Sequence, residues 1–144
     1  MKTPTSIVAA VLILGINLAH AEKTTPGPKG GRLLENETPR AEFFVEKDKT
    51  VTITFYDTNL KPVPVADQTV VATAEVKSGK TKLEFEKKGD VLVSKTSLPE
   101  GEGYNVVVQV RSKPEAKPQN FRIKYDTAPC AKCKRPEYAC ICEE

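Results

Sequence analysis

The sequence predicts an all-β fold: a seven-stranded antiparallel Ig-like β-sandwich with a short Cys-rich C-terminal tail. Seven short runs from residue 41 onward alternate apolar with polar residues, which is the pattern of strands that bury one face. Turn residues separate these runs at the close spacing typical of sandwiches. No stretch after residue 21 has a convincing helical periodicity, so an all-β domain is the expectation.

The strands follow in order along the chain. In the second run, Val51, Ile53 and Phe55 alternate with threonines, and Asp48-Lys49 supplies the turn of a first hairpin. Prolines then mark residues 57–68 as a loop. The seven predicted strands cover residues 41–47, 50–56, 69–77, 81–87, 91–96, 104–111 and 120–125.

One local motif favours the Ig-like interpretation. Leu98 and a glycine-rich turn precede Tyr104, which enters the penultimate predicted strand. This order resembles the tyrosine corner of immunoglobulin-like and fibronectin-type sandwiches. In that motif the phenol bonds to backbone a few residues upstream while its ring packs in the core.

The N-terminus predicts export. Residues 1–21 combine Lys2, an apolar run over residues 7–18 and the small-x-small site Ala19-His20-Ala21, as a cleaved secretory signal does. The apolar run is short for a bilayer span and no stop-transfer segment follows it, so we expect no stable membrane insertion. The predicted location is periplasmic or secreted.

These features divide the chain into four parts. The signal peptide covers residues 1–21, and a polar, glycine- and proline-rich stretch over residues 22–40 is predicted to be a flexible lead-in. The β-sandwich domain covers residues 41–126 and the Cys-rich tail covers residues 127–144.

Composition argues against catalysis and against nucleic-acid binding. The one histidine, His20, lies in the predicted signal peptide, so the mature chain has no histidine for a catalytic triad or for general acid–base work. We therefore expect no catalytic residues and no enzymatic activity. The net charge of +3 is too small for a protein that binds nucleic acid through its phosphates.

The tail carries the only chemistry that the sequence suggests. All four cysteines of the chain, Cys130, Cys133, Cys140 and Cys142, lie there as a CxxC pair and a CxC pair. Four thiolates that converge in a tetrahedron suit Zn²⁺, and soft thiolates also suit Cu⁺. We therefore predict that these cysteines are metal ligands and that metal binding folds the tail.

Other uses of the cysteines remain open at this stage. An exported protein with an even number of cysteines normally forms disulfides, here Cys130–Cys142 with Cys133–Cys140 or the crossed pairing. Redox exchange at the CxxC pair is disfavoured because no thioredoxin-like pattern surrounds it. Haem attachment requires a histidine where Lys134 stands.

Residues 27–34 (GPKGGRLL), with the strands that follow at residues 41–45 and 51–55, resemble the N-terminal extension of some periplasmic adaptor subunits of heavy-metal efflux pumps. That resemblance implies a role in metal handling or efflux. The chain departs from it at Lys29, where those proteins often have a histidine, and no helical hairpin or lipoyl-like module follows. Small periplasmic copper carriers with seven-stranded sandwiches are similar in outline, but they bind copper through histidine and methionine.

The sequence therefore predicts an exported, non-enzymatic β-sandwich protein that binds a soft or borderline metal ion through its four cysteines. Its expected partners are the metal ion and an envelope protein. The alternative is a structural or interaction module whose C-terminal loop is closed by disulfides.

Overall fold

The computed structural model describes residues 24–34 and 39–142. The predicted signal peptide over residues 1–21 lies outside the described residues. The described part of the chain contains ten strands and a single-turn 3-10 helix at Glu137–Ala139. The strands are β1 Thr25–Pro26, β2 Arg32–Leu34, β3 Arg40–Val45, β4 Val51–Tyr56, β5 Pro62–Val63, β6 Thr69–Val76, β7 Gly79–Lys88, β8 Val91–Ser94, β9 Asn105–Arg111 and β10 Gln119–Lys124.

All strand pairs are antiparallel and follow one hydrogen-bonded path, β1-β2-β3-β4-β8-β7-β6-β9-β10, with β5 paired to β4 beside it. The sheet curls into a half-barrel. Strand β7 joins the two halves of this path because it is long enough to pair twice. Its residues 79–84 pair with β6, and its residues 85–88 pair with β8.

The all-β antiparallel prediction is confirmed, whereas the seven-stranded sandwich is not. The seven predicted strands are present as β3, β4 and β6–β10. Three short strands, β1, β2 and β5, were not predicted because runs of two or three residues are too short to show a period-two pattern. The double pairing of β7 then gives one continuous sheet.

The core is built from residues of strands β2–β4 and β6–β10. All six residues of β4 are buried, and Val51, Ile53 and Phe55 belong to the main hydrophobic cluster. Strands β6 and β9 contribute their alternate residues, such as Ala72 and Val108, as the period-two pattern predicts. The tyrosine corner is also present, since the Tyr104 hydroxyl donates to the carbonyl of Pro99 at 2.9 Å.

Residues 24–34, which lie in the predicted lead-in, contribute two short strands to the sheet. Strand β2 pairs with β3, with Leu34 opposite Ala41, and β1 pairs with β2 in turn. Leu33 and Leu34 are only 2% and 1% exposed. Their burial supplies the apolar contacts that the polar composition of the segment seemed to lack.

A buried carboxylate, Glu42, fixes this N-terminal segment to the sheet. It is fully buried on β3 and accepts hydrogen bonds from the Gly31 amide at 2.8 Å, the Lys29 amide at 3.0 Å and the Tyr56 hydroxyl at 2.6 Å. The chain passes so close to it that a Cβ atom at Gly27 would overlap the Glu42 side chain. A buried charge is tolerated here because each carboxylate oxygen has donors.

Replacement of Glu42 by glutamine tests this anchor. The Gln side chain places an NH₂ donor against groups that themselves donate, so we expect the free energy of unfolding to fall by about 2 kcal/mol in urea denaturation. Glu115→Gln, at an exposed position, is the matched control. Equal midpoints for the two variants would contradict the anchoring role.

Candidate metal centre

The first cysteine pair lies in a tight turn that follows β10. The turn is closed by the Cys130 amide, which donates to the Arg135 carbonyl at 2.7 Å, and by the Lys134 amide, which donates to the Cys130 carbonyl at 2.9 Å. Lys134 lies in the left-handed region with φ 61°, and this conformation lets the chain reverse. A bridge between Pro129 and Pro136 closes the base of the turn. Cys130 and Cys133 therefore face the same side.

The second cysteine pair returns to the first through the 3-10 helix. The Glu137 amide donates to Ala128 at 2.9 Å and the Tyr138 amide to Asp126 at 3.0 Å, so the returning chain runs beside the segment that left β10. Cys140 caps the helix, since its amide donates to Glu137 at 3.1 Å. Cys142 then follows at the end of the described chain.

Tyr138 fixes the tail to the body of the protein. It is 4% exposed, and its ring packs edge-on against Phe43, with centroids 5.9 Å apart, and stacks with Tyr125 at 6.5 Å. Its hydroxyl accepts a hydrogen bond from the Val45 amide at 3.1 Å. Val45 lies two residues past Phe43, the last residue of β3 that pairs with β2. Burial raises the pKa of Tyr138, which keeps the phenol neutral.

This packing joins the Cys-rich tail to the core of the protein. Tyr138 and the fully buried Ala139 belong to the main hydrophobic cluster. Sequence reasoning treated both as spacer between the cysteines. An aromatic residue followed by a small one in an otherwise polar segment was the available signal.

The structure brings the four predicted cysteines together, and they could bind a metal ion. All four sulfur atoms lie within 4.8 Å of one another. The Sγ–Sγ distances are 3.1 Å for Cys130–Cys140, 3.7 Å for Cys133–Cys140 and 3.9 Å for Cys130–Cys142. A tetrahedral zinc ion with Zn–S bonds of about 2.3 Å separates its sulfurs by about 3.8 Å, which two of these distances match closely.

None of the four cysteines is bridged in the structure. The shortest of the sulfur contacts given above, 3.1 Å, is well beyond the S–S bond length of about 2.05 Å. Two separate disulfides require only that each sulfur lies near one partner. A set in which every sulfur lies near every other is the arrangement that a single central ion requires.

Backbone amides favour the thiolate at the CxxC pair. The pKa of Cys130 is lowered by the backbone N–H of Cys133, by the Cys140 thiol and by the N–H of Lys132. The backbone N–H groups of Arg135 and Ile141 lower the pKa of Cys133 to about 6. These donors aim at the sulfurs in the way that stabilises a negatively charged ligand.

The CxC pair has the opposite tendency in the absence of metal. The neighbouring Cys130 sulfur raises the pKa of Cys140 to about 12, and desolvation raises the pKa of Cys142. Two sulfurs thus favour the thiolate and two favour the thiol. A bound cation would be needed to remove the remaining protons.

The chain matches no known protein family model, no curated protein and no solved structure. Among the described residues, no helix is long and apolar enough to cross a membrane.

Tyr138 variants test whether the body holds the tail in place. Tyr138→Ala removes a buried ring, so we expect unfolding free energy to fall by about 3 kcal/mol in urea denaturation, whereas Tyr138→Phe loses one hydrogen bond and about 1 kcal/mol. Ile141→Ala is the matched control, because this apolar side chain lies in the same tail but is 40% exposed. A Tyr138→Ala protein as stable as Ile141→Ala would refute the anchoring.

Thiol reactivity tests the amide donors. In metal-free protein at about pH 7, Cys133 is expected to be mainly thiolate and Cys140 mainly thiol, so iodoacetamide should modify Cys133 first, as followed by peptide mapping. Below about pH 6 the advantage of Cys133 should shrink as its thiolate becomes protonated. Cys133 and Cys140 are both partly buried, so the reagent reaches the two sulfur atoms to a similar extent. Equal rates at neutral pH would contradict the hydrogen bonds described.

Proposed function

We propose that this chain is an exported, non-enzymatic protein that holds one zinc ion through Cys130, Cys133, Cys140 and Cys142. The observation that carries the proposal is the mutual approach of all four sulfurs to within 4.8 Å. Neutral thiols gain little from such a cluster and four thiolates repel one another. A cation at the centre makes the arrangement favourable.

Four protein ligands favour a structural role for the ion. Catalytic zinc sites use three protein ligands and leave a position for water or substrate, whereas structural sites are closed. A closed four-sulfur set also agrees with the absence of histidine after residue 20. The non-enzymatic assignment rests on these two points.

The charge around the site supports a metal–thiolate centre. A zinc ion with four thiolates carries a net charge of −2, and the same turn contains Lys132, Lys134 and Arg135. Positive side chains near an anionic centre reduce its electrostatic cost. A disulfide-closed loop would have no comparable need for them.

Zinc would act chiefly as a structural cross-link within the tail. Tyr138 supplies one fixed point on the body, and a metal ion between the two cysteine pairs would supply the second. Because the tail buries little apolar surface besides Tyr138 and Ala139, the metal would contribute most of its folding free energy.

Copper(I) is the second candidate ion. It would be an ion that the protein carries and transfers rather than a structural cross-link. Three of the four cysteines are only partly buried, so an exchanging partner could reach them. Soft thiolates suit Cu⁺, and the resemblance to adaptor subunits of metal efflux pumps would give such a site a role in metal handling beside an envelope protein.

The alternative is an exported structural or interaction module with a disulfide-closed tail. The observation that favours it is that Cys133–Cys140 and Cys130–Cys142, one of the two predicted pairings, already lie 3.7 and 3.9 Å apart. Small rotations about χ1 would bring either pair to bonding distance. Export into an oxidising compartment supports this alternative.

Metal content and thiol state of the same sample decide between the two functions. For protein isolated without reductant, we expect one zinc ion per chain and four thiols that react only after a chelator is added. Cys133→Ser should lower zinc affinity by more than about 100-fold, because it removes one of four ligands. Ala131→Ser, which adds a hydroxyl to the same turn but removes no sulfur, is the matched control.

An intact mass lower by four hydrogen atoms, with no bound metal, would overturn the metal proposal and establish the disulfide module. Copper in place of zinc would retain the site and change the role of the ion to cargo.

A further inference from the structure

A cleft of about 600 Å³ lies where the tail meets the N-terminal segment. It opens at the end of β3, beyond the residues that pair with β2. One wall comes from the loop at Lys29 and Gly30, one from residues 44–47, and one from residues 134–136 of the tail. Its volume is within the range of small-molecule sites.

The cleft is strongly basic. Five cationic residues border it, namely Lys29, Lys47, Lys49, Lys134 and Arg135, against a single carboxylate from Glu46. The charge of Lys49 is offset outside the cleft, because Lys49 pairs with Glu100 at 2.6 Å, and four cations then remain against Glu46. The surplus of positive charge would attract an anion.

Arg135 has an unmet hydrogen-bonding need. Its Nη1 atom is buried and has no hydrogen-bond acceptor within the described part of the chain. A buried guanidinium nitrogen without a partner is costly, and such groups are rare in folded proteins. Since Nη1 itself is covered, an anion in the cleft would engage Arg135 through the part of the residue that borders the cleft.

The remaining lining is mainly apolar and aromatic. Phe44, Val45, Pro136, Tyr125 and Tyr138 border the cleft, with Thr127 as a polar neighbour. Phe44 and Val45 are only half-buried, whereas the preceding Phe43 on the same strand is fully buried. A basic rim beside apolar and aromatic walls fits a ligand with an anionic head and an apolar body.

We propose that this cleft binds a small organic carboxylate with an aromatic body. The carboxylate would pair with the Arg135 guanidinium, for which a planar two-oxygen anion is the best match, while the lysines at the rim supply long-range attraction. The aromatic body would lie against Phe44. An inorganic anion would leave this apolar wall uncovered.

The metal and this cleft share a wall. Residues 134–136 lie between Cys133 and Cys140, and the Arg135 amide is the main cause of the lowered pKa of Cys133. Ligand binding in the cleft therefore rests on the proposed metal function in one respect only: the bound metal would keep residues 134–136 rigid. Its test measures zinc content separately, so that a failure of the metal site is distinguished from a failure of the cleft.

The test uses 3-phenylpropionate as the probe and the full chain with its measured zinc content, with binding followed by calorimetry and by amide chemical shifts. We expect saturable binding at millimolar or lower concentration, with shifts at residues 44–47 and 134–136. Compared with the parent protein at equal zinc content, Arg135→Gln should weaken binding at least about tenfold, because it removes the charge-assisted pair. Lys113→Gln, an exposed cation outside the cleft, is the matched control and should bind as the parent does.

Chemical controls isolate the two parts of the ligand. The neutral amide 3-phenylpropanamide should bind at least about tenfold more weakly, and so should acetate, which lacks the aromatic body. No saturable binding of 3-phenylpropionate, equal binding of the amide, equal binding of acetate, or no effect of Arg135→Gln would each overturn the proposal. A chain that lacks zinc yet binds the probe through Arg135 would support the cleft and refute the metal function alone.

Discussion

The packing of Tyr138 into the core is the contact on which the rest of the tail depends. Its ring lies against Phe43 and Tyr125, and its hydroxyl takes the Val45 amide that β2 leaves unpaired at the end of β3. This contact fixes the chain between the two cysteine pairs, two residues before Cys140. The direction in which the tail returns is thereby set, and with it the approach of the CxC pair to the CxxC turn. The same contact places residues 134–136 beside the basic cleft.

The Glu42 carboxylate and the four-cysteine cluster follow one physical rule. Charge is buried only where hydrogen-bond donors or opposite charges stabilise it. Glu42 has two amides and a phenol, and it holds the N-terminal strands on the sheet. The sulfurs of Cys130 and Cys133 have backbone amides but still require a cation to balance four ligands. Arg135 departs from this rule, since its buried Nη1 atom lacks an acceptor among the described residues.

The sequence predicted what depends on local pattern and missed what depends on pairing at a distance. Period-two runs gave the main strands, and the turn before Tyr104 gave the corner bond to Pro99. The four cysteines were found because their spacing is itself the signal. The double pairing of β7 and the anchoring by Tyr138 depend on which distant surfaces meet. The pairing of residues 32–34 with β3 also depends on a distant surface, which the polar composition of that segment does not show.

X-ray absorption at the zinc edge on the zinc-loaded full chain tests the central claim most directly. The account predicts a first shell of four sulfur atoms at about 2.3 Å and no nitrogen or oxygen, because the four cysteines close the tetrahedron. A shell with oxygen or nitrogen neighbours, or with fewer than four sulfurs, would contradict a closed four-cysteine centre held against the body by Tyr138.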